Sequence, residues 1–185
     1  MAARARKCGA LPVLADYRPD LIADELADMM GFDVEGEGDA ARFLITQEGS
    51  RLTTTYGSEH IAPEQRTNRY LDDAIGPARY ARVLPSYRAC VARKRPTYSI
   101  SMLRDADGKD VCYERLLLPF GAAGHVEQIV GSYKSISIEG GFKITNLMGA
   151  ASGATPVTVV NAVIDLDIIR RPIGHRTADD LIELN

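Results

Sequence analysis

The sequence predicts an α+β domain with a five-stranded antiparallel sheet flanked by short helices. Apolar residues alternate in two short runs near the start, the middle is helical, and three alternating runs follow. This order lacks the regular strand-helix alternation of a doubly wound parallel fold. A chain of 185 residues, 45% hydrophobic and 25% charged, suits one globular domain with extensions. We expect an N-terminal extension over 1–40, the domain over 41–139, and a C-terminal extension over 140–185.

The N-terminal extension carries an amphipathic pattern that predicts a helix over 21–30. Asp20 can cap its start and Gly31 can end it. The apolar residues fall on one broad face, with acidic residues on the other. That face predicts a dimer or docking interface formed by Leu21, Leu26, Met29 and Met30.

The first two strands are predicted over 43–45 and 52–56, after an acidic linker at 33–39. Apolar residues alternate in each of these runs, and 48–50 can form the hairpin turn between them.

The stretch 67–94 has a helical but interrupted pattern. Gly76 breaks it, and Pro77 suits the first position of a new helix. Pro85 should end or restart that helix, because an interior proline removes a backbone hydrogen bond. We therefore expect several short helices.

Three strands in a meander are predicted over 98–103, 111–120 and 126–138. Turn residues separate them, notably the Asp-Ala-Asp-Gly run that begins at Asp105. The tail should add one strand over 157–169 and a short final helix after Thr177, with Leu181, Ile182 and Leu184 as its apolar residues.

The last two predicted strands carry the most informative motif. The run from Glu114 to Phe120 places a Glu-Arg pair before three leucines and a proline, and an Ile-Val-Gly run follows at Ile129. Together with Arg95-Pro96 and the segment after Tyr56, this resembles bacterial PAS domains. The resemblance implies a five-stranded sheet crossed by short helices, with a small cavity between them. It also implies sensing or partner binding rather than catalysis.

The resemblance implies a cavity lined by inward-facing side chains. Ligand sites are mostly apolar with a few polar groups. The expected ligand-binding residues are Phe43, Ile45, Tyr56, Leu71, Tyr80, Leu84, Tyr87, Ser99, Ser101, Leu117 and Ile129. The same side chains can equally complete a packed core, and the identity of any ligand or cofactor stays open.

Arginines concentrate in the helical middle of the chain. Arg79, Arg82 and Arg88 form the part of this cluster in which we expect a signalling partner to dock, and Arg79 and Arg82 share a helix face. A solvated helix surface is the alternative. Nucleic acid is not favoured, because the sequence contains no recognised nucleic-acid-binding motif. The net charge of −3 argues neither for nor against it.

No catalytic motif is recognisable. The chain lacks a nucleophile elbow, a P-loop and a dinucleotide fingerprint, and its three histidines have no metal-ligand spacing. We expect a non-enzymatic sensory or protein-interaction PAS module of bacterial signal transduction, acting as a homodimer. The alternative is a small cavity enzyme or ligand carrier in which His60 or Asp72 acts as a base.

The expected location is the cytoplasm, without a membrane anchor. Three widely spaced cysteines suit a reducing compartment. No apolar run approaches the length of a membrane span.

Overall fold

The computed structural model describes residues 10–18, 22–55, 61–104, 108–137, 156–165 and 182–184. Among these residues, no helix is long and apolar enough to cross a membrane. The α-helices are α1 (Ile22–Ala27), α2 (Ser50–Thr55), α3 (Leu71–Ile75) and α4 (Pro77–Arg93). The strands are β1 (Met29–Glu35), β2 (Arg42–Glu48), β3 (Arg69–Tyr70), β4 (Thr97–Arg104), β5 (Asp110–Phe120), β6 (Gln128–Ile136), β7 (Val157–Ile164) and β8 (Ile182–Leu184).

The strands form one antiparallel sheet, so the predicted α+β class is confirmed. Its order is β3-β2-β1-β6-β5-β4-β7-β8. The predicted number of five strands is wrong, because β3 adds to one side and β7 and β8 to the other. Strand β7 pairs with β4 from Thr97 to Met102, and so covers backbone groups that an edge strand would leave open. Both predicted extensions contribute strands to this sheet. Strand β1 lies before residue 41 and β7 lies after residue 139, and each pairs with strands of the predicted domain over 41–139.

The predicted helix over 21–30 is wrong in its last three residues. Helix α1 ends at Ala27, and Met29 begins β1, which extends to Glu35 through the predicted linker. Met30 and Phe32 are buried on the strand, two residues apart. The period of two in the sheet therefore prevails over the helical pattern.

The predicted strand over 52–56 is also wrong as far as it is described, because α2 occupies Ser50–Thr55. The predicted hairpin turn instead starts this helix, with the amides of Leu52 and Thr53 donating to the Gly49 carbonyl. A Cβ on Gly49 would lie 2.4 Å from the Leu26 carbonyl oxygen, so α1 and α2 meet at a position that requires glycine. The strand predicted over 43–45 is found, as part of β2.

The break at Gly76 is confirmed, with a φ of 75° between α3 and α4, and Pro77 starts α4. The expected interruption at Pro85 is wrong, since α4 continues through it to Arg93. Pro85 and Ala81 both lie on the exposed side of the helix, where water can satisfy the carbonyl that loses its amide partner.

The final meander of β4, β5 and β6 is confirmed closely. A predicted tail strand is found as β7, whereas the predicted last helix is wrong for Ile182–Leu184, which pair with β7 as β8. Strand β8 lies at the edge of the sheet, and the local helix pattern of its residues does not reveal its pairing with β7.

The main core lies between one face of the sheet and helices α3 and α4. Its fully buried centre includes Phe32, Phe43, Ile45, Leu117 and Ile129. A smaller cluster of Met29, Phe120 and Val130 lies apart from it, packed against Leu26 and Tyr17.

Candidate ligand cavity

A cavity of about 240 Å³ opens between α3, α4 and the sheet. This volume holds on the order of ten non-hydrogen atoms. Each atom is taken to occupy somewhat less space than one molecule of liquid water. Its lining comprises Met30, Ile45, Glu48, Arg69, Leu71, Ala74, Ile75, Arg79, Arg82, Val83, Tyr87, Ser99, Ser101, Tyr113, Arg115, Tyr133, Pro156 and Thr158.

One side of the cavity is apolar. Leu71, Ala74 and Ile75 come from α3, and Val83 comes from α4. The sheet adds Ile45 and Met30, so an apolar ligand body would leave water on contact with this side.

The other side is polar because of the register of three strands. Ser99 of β4 lies opposite Arg115 of β5, which in turn lies opposite Tyr133 of β6. Residues in register share a face of the sheet, and this face is the one that α4 covers. Serine hydroxyl, guanidinium and phenol are thereby placed side by side in the cavity wall.

The guanidinium of Arg115 is held by two neighbours from α4. It donates a hydrogen bond of 2.9 Å to the Ser86 hydroxyl, and it lies 5.6 Å from the centre of the Tyr87 ring. Its buried Nε atom has no hydrogen-bond partner among the described residues. Arg115 also makes no ion pair with a described carboxylate, unlike Arg69 of the same lining.

Tyr87 and Tyr133 join α4 to the sheet beneath the cavity. Their hydroxyl groups are 2.6 Å apart, and both residues are buried. The Tyr87 ring packs edge-on against Phe32, at 5.3 Å between ring centres. Gly131 makes room for the Tyr133 ring, because a Cβ there would lie 2.5 Å from the phenol oxygen.

An ion pair lies at the β2 side of the cavity. Arg69 is 3.5 Å from Glu48, whose side chain is only 2% exposed. The Nε of Arg69 also donates to the Arg66 carbonyl. The negative charge of Glu48 is therefore balanced within the wall itself.

The three arginines expected to dock a partner are divided by the structure. Arg79 and Arg82 project from α4 at the cavity. Arg88 lies one and a half turns farther along the helix, where it binds the carboxylate and the carbonyl of Asp39. Only the first two therefore belong to the cavity.

The predicted ligand residues fall into three groups. Ile45, Leu71, Tyr87, Ser99 and Ser101 line the cavity. The next group belongs to the core around it: Phe43, Leu117 and Ile129 are buried, and Tyr80 and Leu84 pack on them partly buried. Tyr56 lies outside the described residues.

Sequence reasoning missed Arg115 and its neighbours Tyr113 and Tyr133. A signal existed, because Leu117 was expected to point inward and side chains alternate along a strand. The same rule puts Arg115 and Tyr113 on the inward face.

The predicted interface residues occupy different environments. Leu26 is half-buried, Met29 is buried beside it in the smaller cluster, and Met30 lines the cavity. Leu21 lies outside the described residues. Of the four, Leu26 offers the most surface to a partner among those described.

Of the groups considered for acid-base or nucleophilic chemistry, Asp72 and Cys90 do not line the cavity, whereas the Glu48 carboxylate does, paired with Arg69. Asp72 is 3.3 Å from Arg42 and does not line the cavity, while His60 lies outside the described residues. Burial raises the pKa of Cys90 to about 12, which keeps this thiol protonated and unreactive. Among the described residues, no three His, Cys, Asp or Glu side chains could hold a metal ion.

No protein-family model and no curated protein sequence matches the chain.

Proposed function

We propose that this protein is a non-enzymatic sensory module of the PAS type, which binds a small amphipathic molecule in the cavity between α3, α4 and the sheet. The observation that carries the proposal is the cavity of about 240 Å³, with apolar side chains on one side and convergent hydrogen-bonding groups on the other. This division is typical of small-molecule sites.

The order of the elements supports the PAS type. Strands β1 and β2 form a hairpin, short helices follow, and β4, β5 and β6 form a meander. This is the sequence of two strands, helices and three strands that the resemblance implies. The added strands β3, β7 and β8 lie outside the five.

The cavity walls suggest how a ligand would produce a signal. Arg115 and Ser99 belong to the sheet, Ala74 belongs to α3, and Thr158 belongs to β7 near the C-terminal extension. A ligand that contacts all of these favours one packing of the helices on the sheet over others. Thr158 also pairs with Ser101 through a contact of 3.2 Å between hydroxyls, which links the C-terminal extension to the cavity wall.

The proposal includes a homodimer in the cytoplasm that transmits the signal to a protein partner. Support for the dimer comes from Leu26, which packs half-buried on the smaller apolar cluster. Support for an acidic partner comes from Arg79 and Arg82, which share one face of α4.

Native mass spectrometry of protein purified from cells tests the ligand proposal, with denaturing spectra and an absorbance scan of the same sample. We expect an additional non-covalent mass on the wild-type chain. Ala74→Phe fills the cavity from α3 and should remove it. Ala92→Phe places the same ring on the exposed side of α4 and should retain it. An apo wild-type protein that binds no small molecule at millimolar concentration would contradict the proposal.

A further inference from the structure

We propose that the cavity ligand is a small apolar carboxylate, and that Arg115 binds its carboxylate group. This inference rests on the proposed function and specifies the chemical class of the ligand.

Arg115 carries a positive charge that no described carboxylate compensates. Arginine stays protonated at any physiological pH, so this half-buried side chain always brings a positive charge to the wall. A buried charge is costly unless it is paired. No described carboxylate lies within ion-pair distance of Arg115, and its buried Nε has no hydrogen-bond partner among the described residues. A carboxylate on the ligand would supply the missing negative charge.

The guanidinium of Arg115 is held in a defined orientation. Ser86 and the Tyr87 ring, both from α4, hold it against the sheet at the cavity wall. A guanidinium held in this way can present two parallel N–H groups to the two oxygens of a carboxylate. A lysine at this position would offer only a point charge.

Hydroxyl groups lie on both sides of Arg115 in the sheet. Ser99 is its neighbour on β4 and Tyr133 its neighbour on β6, and both line the cavity. Hydroxyl groups can donate to carboxylate oxygens that the guanidinium leaves free. The polar wall thus combines one permanent charge with adaptable donors.

Positively charged side chains outnumber negatively charged ones around the cavity. Four arginines and one glutamate line it, and the glutamate, Glu48, is paired with Arg69. Arg82 adds positive charge at α4. Such an excess attracts anions to the opening and repels cations.

The volume and the apolar side define the rest of the ligand. A body of on the order of ten non-hydrogen atoms fits, such as a benzene ring or a branched alkyl chain with one carboxylate. Leu71, Ile75 and Val83 would cover that body. A nucleotide is too large for this space.

The test compares acids with their amides, which have nearly the same shape but no charge. Benzoate with benzamide and isovalerate with isovaleramide are titrated into the wild-type protein by calorimetry. We expect each acid to bind about 10- to 100-fold more tightly than its amide, because a charge-assisted hydrogen bond raises affinity by this factor. The preference should disappear in Arg115→Met and persist in part in Arg115→Lys. Arg104→Met, which removes an exposed arginine paired with Asp110, should leave it unchanged.

A measurement on the wild-type protein does not depend on how the variants fold. Lowering the pH through the benzoate pKa of about 4 should weaken benzoate binding and leave benzamide binding unchanged, over the range in which circular dichroism shows the protein folded.

The outcomes separate the inference from the proposed function. Acids and amides that bind equally, with no effect of Arg115→Met, would overturn the carboxylate inference and leave the cavity as a ligand site. Failure of both classes to bind at millimolar concentration would overturn the inference and count against the proposed function itself.

Discussion

The hydroxyl groups of Tyr87 and Tyr133 lie 2.6 Å apart, so helix α4 and strand β6 are joined by a buried hydrogen bond. The rings form the floor of the cavity beside Arg115. This bond fixes the distance between the helix and the sheet, and therefore the width of the cavity.

Tyr133→Phe tests the contribution of this hydrogen bond. The ring stays in place while the hydroxyl is lost, so we expect the free energy of unfolding to fall by about 1–2 kcal/mol. Urea denaturation measures the change. Tyr80→Phe is the control, because the half-buried Tyr80 hydroxyl makes no hydrogen bond to a described residue. Equal effects of the two substitutions would show that the tyrosine pair has no special role.

Arg115→Met tests whether Arg115 is kept at a cost to stability. The substitution removes an unpaired charge at the cavity wall and loses one hydrogen bond to Ser86. We expect the ligand-free protein to unfold at the same urea concentration or a higher one, with a gain of up to about 1 kcal/mol. Arg51→Met is the contrasting variant, since it leaves the buried Asp28 with one partner fewer. It should lower stability. A larger loss for Arg115→Met than for Arg51→Met would mean that Arg115 is structural.

Asp28 predicts a pH dependence of stability. Burial by itself would raise the pKa of Asp28, but hydrogen bonds from Arg51 at 2.6 Å and Lys134 at 3.1 Å, with their positive charges, lower it. A lowered pKa in the folded state stabilises the protein above the unfolded value of about 3.9, and this contribution is lost as the pH falls through the folded value.

Asp28→Asn should therefore cost about 1.5–3 kcal/mol at neutral pH and progressively less below pH 4. Urea denaturation at a series of pH values measures this convergence with the wild type. Asp110→Asn, which removes an exposed partner of Arg104, should change stability by less than about 0.5 kcal/mol. A loss in Asp28→Asn that is independent of pH would contradict the assigned ionisation.

Leu26→Asp tests the proposed homodimer. A carboxylate at this half-buried position would be desolvated in an apolar interface, so the dimer should dissociate. Light scattering gives the mass, and circular dichroism shows whether the domain remains folded. Val13→Asp is the matched control, because Val13 is 42% exposed and outside that cluster. An unchanged mass in folded Leu26→Asp would reject this interface.

Local sequence signals predicted the meander of β4, β5 and β6 because its strands alternate clearly and its turns contain glycine. They failed for β1, because Met29 and Met30 continue a helical pattern in the sequence and the pairing of β1 with β6 is long-range. They failed again for β8, whose partner lies in β7.

Local sequence signals also predicted part of the site. Ser99, Ser101 and Tyr87 could be placed by alternation and helix position, and the cavity contains them. The role of Arg115 depends on its register with Ser99 and Tyr133, which only the assembled sheet reveals. A charged residue in a strand is usually assigned to the solvent face, and this expectation concealed it.

The most direct test of the account is an NMR titration of the wild-type protein with benzoate, because it locates the bound ligand. We predict that the signals of the Arg115 Nε–H group and of the Ser99 and Tyr133 amides shift together, while those of Met29 and Val130 stay constant. Shifts confined to Met29 and Val130 would place the ligand at the smaller apolar cluster and contradict a site beneath α4.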